Sequence, residues 1–103
     1  MKQYQTIEFE QQDDLGIVWL NRPQIHNAFN ETMISEVIDV FESINEMDDI
    51  RVAILRGRGK SFCAGADLNW MRDVAKYSYE ENFKESLNLS KCFYTIYTCK
   101  KPT

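Results

Sequence analysis

The sequence predicts an α/β fold, and three observations carry that prediction. Two short extended segments open the chain, an amphipathic helix leads into an apolar strand, and a longer helix follows. A strand, a helix and another strand in that order predict a right-handed crossover between parallel strands. The chain has 103 residues, 44% of them hydrophobic and 13% aromatic. This is enough for one core and too short for two ordinary domains, so we expect one domain or part of one.

The first two segments predict an antiparallel β-hairpin. Residues 4–9 and 16–20 have extended apolar patterns, and the polar stretch 11–14 between them predicts the turn. Pro23 ends the second strand, because proline lacks the N–H that a ladder requires and disfavours helix at the residue before it. A loop through Asn27 follows.

Residues 31–47 predict the crossover helix, with Asn30 as its N-cap. Apolar residues recur there at intervals of three and four, namely Met33, Ile34, Val37, Ile38, Phe41, Ile44 and Met47. The next segment, residues 52–55, is apolar at every position. This is typical of a parallel strand that helices cover on both faces.

Residues 78–99 predict a long helix that opens with a capping box of Ser78 and Glu81. One side of this helix carries Phe83, Leu87, Ser90, Tyr94 and Tyr97. A parallel sheet needs several buried strands, and the chain supplies one. We therefore expect the natural domain to continue after residue 103.

Small residues crowd the segment 61–68, where the apolar strand gives way to a short polar helix. Backbone can approach a ligand closely at such residues. The first N–H groups of a helix lack partners within it, so an N–H near Ala66 could stabilise a developing oxyanion. Tight packing of a strand against a helix would explain the same small residues without a site.

Three segments together resemble the enoyl-CoA hydratase/isomerase family, the crotonases. They are LNRP at 20–23 with NA at 27–28, VAILRG at 52–57, and FCAGADL at 62–68. The resemblance covers roughly residues 7–103. It implies a crotonase (ClpP/crotonase-like) fold, of which residues 1–103 would form the N-terminal part.

The resemblance implies that the Ala66 N–H is one of two oxyanion donors that hold the thioester carbonyl while an enolate forms. The second donor and the acid/base carboxylates would lie beyond residue 103, so this chain alone is expected to be inactive. Residues 28 and 64 would lie near the CoA moiety, residues 66–69 at the acyl end, and Arg22 near a CoA phosphate. The implied substrate contacts are Arg22, Ala28, Ala64, Ala66, Asp67, Leu68, Asn69 and Trp70.

The implied activity is that of a lyase that adds water to a 2-enoyl-CoA. Residues 64–71 look most like hydratases of branched glutaconyl-CoA substrates, such as 3-methylglutaconyl-CoA in leucine breakdown. An enoyl-CoA isomerase would share every residue present here, and a non-catalytic CoA- or RNA-binding homologue is the alternative from another class. The resemblance implies no cofactor other than the CoA of the substrate. It also implies a homotrimer or a dimer of trimers.

Charge and composition argue against several other kinds of protein and site. A net charge of -4 argues against nucleic-acid binding, and no apolar run approaches the roughly 18 residues of a membrane span. Three cysteines without a C-x-x-C pair suit a reducing compartment, so we expect a cytoplasmic protein without disulfides. His26 is the only histidine, and we expect no metal site.

Two side chains beside Ala66 have alternative interpretations. Asp67 could act as a catalytic carboxylate, although its position suits stabilisation of a helix N-terminus at least as well. Cys63 could be a nucleophile, but no base is evident, and a small residue is needed there for packing.

Overall fold

The computed structural model describes residues 3–103 and confirms the α/β class. Its strands are β1 (Ile7–Gln12), β2 (Leu15–Leu20) and β3 (Val52–Gly57), and its helices are α1 (Glu31–Asn45), α2 (Leu68–Val74) and α3 (Tyr79–Tyr97). A 3-10 turn spans Pro23–Ile25. The sheet has the order β1-β2-β3, with β1 antiparallel and β3 parallel to β2. The hairpin and the parallel pairing of the strands on either side of α1 are therefore confirmed.

The hairpin turn is tighter than predicted. Gln11 and Gln12 pair with β2, and only Asp13 and Asp14 form the turn. The prediction of a turn over 11–14 was wrong because polar side chains are also compatible with an exposed strand end. Asp13 takes a left-handed conformation with φ of 54°, which Asp tolerates better than most residues.

Helix α1 supplies most of the core. The Asn30 side chain accepts a hydrogen bond from the Met33 N–H at 2.9 Å, which confirms the predicted cap. The helix ends two residues earlier than predicted, at Asn45, and Met47 packs half-buried against the core. The buried cluster consists of Ile7, Val18, Leu20, Phe29, Met33, Ile34, Val37, Val40, Phe41, Ile44, Ile50, Ala53 and Cys92.

Only one face of the sheet carries this core in the part of the chain that the structure describes. Val18, Leu20 and Ala53 belong to the core. On the opposite face, the guanidinium groups of Arg56 and Arg58 lie 4.5 and 3.8 Å from the ring centroid of Trp19. The prediction that helices cover both faces of β3 is therefore wrong for the described residues, because these charged side chains occupy the second face.

Helix α3 packs along α1 through the fully buried Cys92. Its N-cap is confirmed, since Ser78 Oγ accepts from the Glu81 N–H at 3.3 Å. The side identified from the sequence faces outward and exposes Phe83, Leu87, Ser90, Tyr94 and Tyr97. After α3 the chain returns to the sheet, where the Pro102 carbonyl accepts a hydrogen bond from the Ala53 N–H at 2.9 Å.

Candidate active site

Two loops pair along their backbones to build the candidate site. Residues 26–29 follow the 3-10 turn, and residues 63–67 precede α2. The Phe29 N–H donates to the Gly65 carbonyl at 2.7 Å, and the Asp67 N–H donates to the Phe29 carbonyl at 2.7 Å. This bridge places the turn before α2 against the loop after β2.

This pairing leaves the Ala66 N–H without a hydrogen-bond acceptor in the described residues. Its neighbours are engaged, since Ala64 N–H donates to the His26 carbonyl at 2.9 Å, Gly65 N–H to Cys63 Sγ at 3.3 Å, and Asp67 N–H to Phe29. The Ala66 N–H donates to no group among residues 3–103. Gly65 allows this arrangement with a φ of 97°, a conformation that is strained for residues with a side chain.

A cleft of about 520 Å³ opens beside Ala66. Its lining residues are Ile25, Ala28, Ala64, Ala66, Asp67, Leu68, Asn69 and Arg72. Six of the eight predicted contact residues are therefore together. The structure adds Ile25 and Arg72, and it places Arg22 and Trp70 outside the cleft lining.

Arg22 lies behind the site rather than in it. Its guanidinium donates to the Ala28 carbonyl at 2.6 Å and to Asp67 Oδ2 at 2.8 Å. The pair is largely buried, with side-chain exposures of 15% for Arg22 and 11% for Asp67. Arg22 thereby connects the two loops that frame Ala66. Its predicted contact with a CoA phosphate stays a prediction.

Asp67 caps the helix that follows the site. Its Oδ1 accepts from the N–H groups of Asn69 at 2.7 Å and Trp70 at 3.2 Å. The hydrogen bond from Arg22 lowers the pKa of Asp67 most, and the two backbone N–H donors lower it further against the opposing effect of burial. Both carboxylate oxygens are thus occupied, which favours the structural interpretation of Asp67.

Asn27 is the anchor that the sequence reasoning missed. It is fully buried in a left-handed conformation with φ of 57°. Its Oδ1 accepts from the Arg22 N–H at 2.7 Å. Its Nδ2 donates to three carbonyls, those of Arg58, Ser61 and Phe62, at 2.9 to 3.1 Å. The sequence offered one signal for this role. Asn27 lies in a loop, and Asn tolerates a left-handed backbone conformation better than most residues do.

Trp70 lies on the other side of α2. It lines a second cleft with Arg22, Asp67 and Tyr77 and packs against the core. Its indole N–H is buried and finds no partner among residues 3–103. The predicted contact between Trp70 and substrate stays a prediction.

His26 and the three cysteines are not among the residues that line the cleft. The Nδ1 atom of His26 lies 3.1 Å from Ser61 Oγ at the exposed edge of the loop. Cys63, Cys92 and Cys99 are free thiols, and burial raises the pKa of Cys92 to about 11. Within residues 3–103, no cluster of three His, Cys, Asp or Glu side chains is arranged to hold a metal ion. No helix in the same range has the length and apolar composition to cross a membrane.

Known proteins agree with this architecture. A profile of the enoyl-CoA hydratase/isomerase family matches residues 10–103. The chain is 35% identical over 89 residues to a Thermus thermophilus protein provisionally named enoyl-CoA hydratase, a match that covers 86% of this chain and 35% of that protein. It is also 32% identical over 79 residues to the crotonyl-CoA hydratase of Syntrophomonas wolfei, covering 76% of this chain and 30% of that enzyme.

A solved structure extends the likeness to the three-dimensional arrangement of this chain. The crystal structure of an enoyl-CoA hydratase from Shewanella pealeana superposes with a TM-score of 0.94 at 36% identity, covering 98% of this chain and 38% of that one. The chain therefore has the crotonase fold and belongs to the enoyl-CoA hydratase/isomerase family. It spans about a third of the length of these relatives.

Proposed function

We propose that the natural protein containing this chain is an enoyl-CoA hydratase that adds water across the double bond of a 2-enoyl-CoA thioester. The observation that carries the proposal is the Ala66 N–H at the wall of an open cleft, which has no partner within residues 3–103, in a chain of this family. Addition of water at the β-carbon places negative charge on the thioester oxygen. A fixed N–H donor stabilises that charge more in the transition state than in the ground state.

In this mechanism Ala66 binds the thioester oxygen, and the groups around it hold the donor in place. Asp67 is not the proton-transfer group, because Arg22 and two backbone N–H groups occupy both its oxygens. A second oxyanion donor and the carboxylates that move protons would come from residues outside this chain. General acid/base transfer by such carboxylates typically contributes about 10²–10⁴-fold.

The narrower proposal is a branched glutaconyl-CoA, such as 3-methylglutaconyl-CoA, as the substrate. The resemblance of residues 64–71 to that branch supports it. We also propose assembly as a homotrimer or a dimer of trimers, which the family resemblance supports. We further propose a cytoplasmic location, which the three free cysteines support.

The Ala66 N–H is tested by Ala66→Pro in the natural protein, because proline removes this one donor. We expect kcat for hydration to fall on the order of 10²-fold. Ala66→Gly keeps the N–H and is the matched control, with kcat retained. Hydration of crotonyl-CoA is followed by loss of the enoyl absorbance, and circular dichroism checks folding. Unchanged turnover in a folded proline variant would contradict the assignment.

A further inference from the structure

Two side chains from one loop hold the ends of the segment that carries the oxyanion donor. Asn27 Nδ2 donates to the Phe62 carbonyl at 3.1 Å, on the N-terminal side of residues 63–66. Arg22 donates to Asp67 Oδ2 at 2.8 Å, on the C-terminal side. Asn27 Oδ1 in turn accepts from the Arg22 N–H at 2.7 Å. The two anchors are therefore linked to each other, and the short span between them contains the donor.

Arg22 joins its two acceptors through one rigid group. Its Nη1 donates to the Ala28 carbonyl at 2.6 Å and its Nη2 to Asp67 Oδ2 at 2.8 Å. The next residue, Phe29, makes the neighbouring contact, since its carbonyl accepts from the Asp67 N–H at 2.7 Å. Because a guanidinium is planar, its two terminal nitrogens keep a fixed separation. Arg22 therefore fixes the spacing between residues 28 and 67, and the Ala66 N–H lies directly before residue 67.

The same contacts leave Arg22 poorly placed to bind a ligand in the active-site cleft. Both of its terminal nitrogens are engaged, and its largely buried side chain lines the second cleft with Trp70 and Tyr77. A phosphate would have to displace Asp67, and a carboxylate that stays buried without its partner is strongly destabilising. The geometry therefore favours a role within the protein over the predicted contact with a CoA phosphate.

Stability alone does not explain a buried ion pair at this position. Taking two charges out of water costs free energy, and apolar side chains of similar size often stabilise a protein as well as a buried pair does. The planar pair of donors supplies a defined geometry that an apolar contact lacks. An oxyanion donor depends on such geometry, because it must already be in place when charge develops on the substrate oxygen.

We propose that Arg22 is a positioning residue, which acts on the reaction through the Ala66 N–H by fixing the distance between the Ala28 carbonyl and Asp67. The inference rests on the proposed function, since it takes the Ala66 N–H as the oxyanion donor. Loss of the bridge lets the donor shift relative to the thioester oxygen, while the side chains that line the cleft remain. Stabilisation of the transition state should therefore weaken more than ground-state binding of the thioester.

The first test separates kcat from KM in the natural protein. Arg22→Met should lower kcat for hydration of crotonyl-CoA about tenfold and leave KM within about twofold, because displacing a donor costs less than removing it. Arg56→Met is the matched control, since Arg56 is exposed on the outer sheet face and its replacement should leave both parameters unchanged. An unchanged kcat in a folded Arg22→Met variant would overturn the inference.

Arg22→Lys keeps the positive charge beside Asp67 and provides the test if Arg22→Met does not fold. Lysine offers one ammonium nitrogen in place of the planar fork, so it can pair with Asp67 without also fixing the Ala28 carbonyl. Its kcat should be about threefold below that of the wild type, with KM unchanged. Full activity of Arg22→Lys would show that charge alone is sufficient and would contradict the bridging role.

Binding of free CoA tests the alternative role of Arg22 as a phosphate ligand. Titration calorimetry should give Arg22→Met a Kd for CoA within about twofold of the wild-type value, because the proposed bridge does not touch CoA. Loss of a charge-assisted hydrogen bond to a phosphate would instead raise this Kd about tenfold or more. That result would assign Arg22 to the CoA moiety and refute the inference.

A double-mutant cycle shows whether Arg22 acts through Ala66. In the Ala66→Pro background, which lacks the donor, Arg22→Met should change kcat by less than about twofold. In the Ala66→Gly background, which keeps the donor, it should still lower kcat about tenfold. Equal losses in both backgrounds would overturn the inference and leave the hydratase proposal standing. If Ala66→Pro alone leaves hydration unchanged, the proposed function fails and this inference fails with it.

Discussion

Two turns of this protein share an uncommon backbone conformation and differ in what holds it. Asp13 in the hairpin turn has φ of 54°, and Asn27 in the site loop has φ of 57°. Asp13 is exposed, whereas the fully buried Asn27 makes four side-chain hydrogen bonds to backbone groups. Left-handed conformations of non-glycine residues carry strain that the surroundings must support. The hairpin turn therefore depends only on the left-handed backbone of Asp13, whereas the site loop also depends on the hydrogen bonds of the Asn27 side chain.

The largest effect is expected from replacing these two residues with glycine. Glycine adopts positive φ freely, so Asn27→Gly and Asp13→Gly both remove the backbone strain. Any difference in stability between the two variants then comes from the side chain that each one loses. Asn27→Gly should lower the free energy of unfolding by about 3 kcal/mol, because it leaves buried backbone groups without partners. Asp13→Gly should change it by less than about 0.5 kcal/mol. Denaturation in urea measures both, and similar losses in the two variants would refute the comparison.

Replacing two glycines with alanine tests how tightly the site loop is packed. A Cβ at Gly57 would lie 2.5 Å from the Phe62 carbonyl oxygen and 2.9 Å from Asn27 Nδ2. Gly57→Ala should therefore cost about 2 kcal/mol, since backbone must move. At Gly16 the nearest atom is the Cδ1 of Ile50 at 3.0 Å, the end of a flexible side chain. Gly16→Ala should cost about half as much, and thermal unfolding of the two variants gives the order.

A smaller effect is expected from the charge of Asp67. The folded-state pKa of Asp67 is lowered, so its contribution to stability is present above the unfolded pKa of about 4 and is lost as pH falls through the folded pKa. Asp67→Asn keeps an N-capping side chain and removes the charge. The wild-type protein should therefore lose more unfolding free energy between pH 5 and pH 3 than this variant does, as measured by urea denaturation at each pH.

The exposed pair of Arg58 and Glu8 is the control for that experiment. Its side chains are 40% and 49% exposed, against 15% and 11% for Arg22 and Asp67. Glu8→Gln should change stability at neutral pH by less than about 0.5 kcal/mol. A larger effect from Glu8→Gln than from Asp67→Asn would reverse the ranking of the two pairs.

Local pattern was sufficient for much of the fold. The period of α1, its Asn30 cap and the crossover follow from neighbouring residues, and the structure confirms each of them. The turn over 11–14 failed because polarity alone does not separate a turn from an exposed strand end. The predicted helix cover on both faces of β3 was wrong because the side chains on the second face, Arg56 and Arg58, follow the apolar run 52–55 and are not part of it.

The sequence predicted the oxyanion donor, the Ala66 N–H, but it did not predict the side chains of Asn27 and Arg22 that hold the site loops in place. Ala66 is consecutive or nearly so with Ala64 and residues 67–69 of the cleft lining, and the family motif marks this segment. Asn27 contacts carbonyls 31 to 35 residues away, and Arg22 meets Asp67 across 45 residues. Such contacts depend on how the loops meet in three dimensions. Arg72 also lines the cleft and was not predicted, although its position four residues after Leu68 on a predicted helix was visible in the sequence.

The two tryptophans give the molecule an optical property that follows from their positions. Trp70 belongs to α2, the helix that starts at the oxyanion donor, and its indole N–H has no partner in the described residues. Trp19 lies on the opposite sheet face, where Arg56 and Arg58 cover its ring and Glu10 accepts its N–H at 3.0 Å. Because the two indoles have different surroundings, we expect the emission of Trp70 to respond to changes around α2 and that of Trp19 to respond to changes at the outer sheet face.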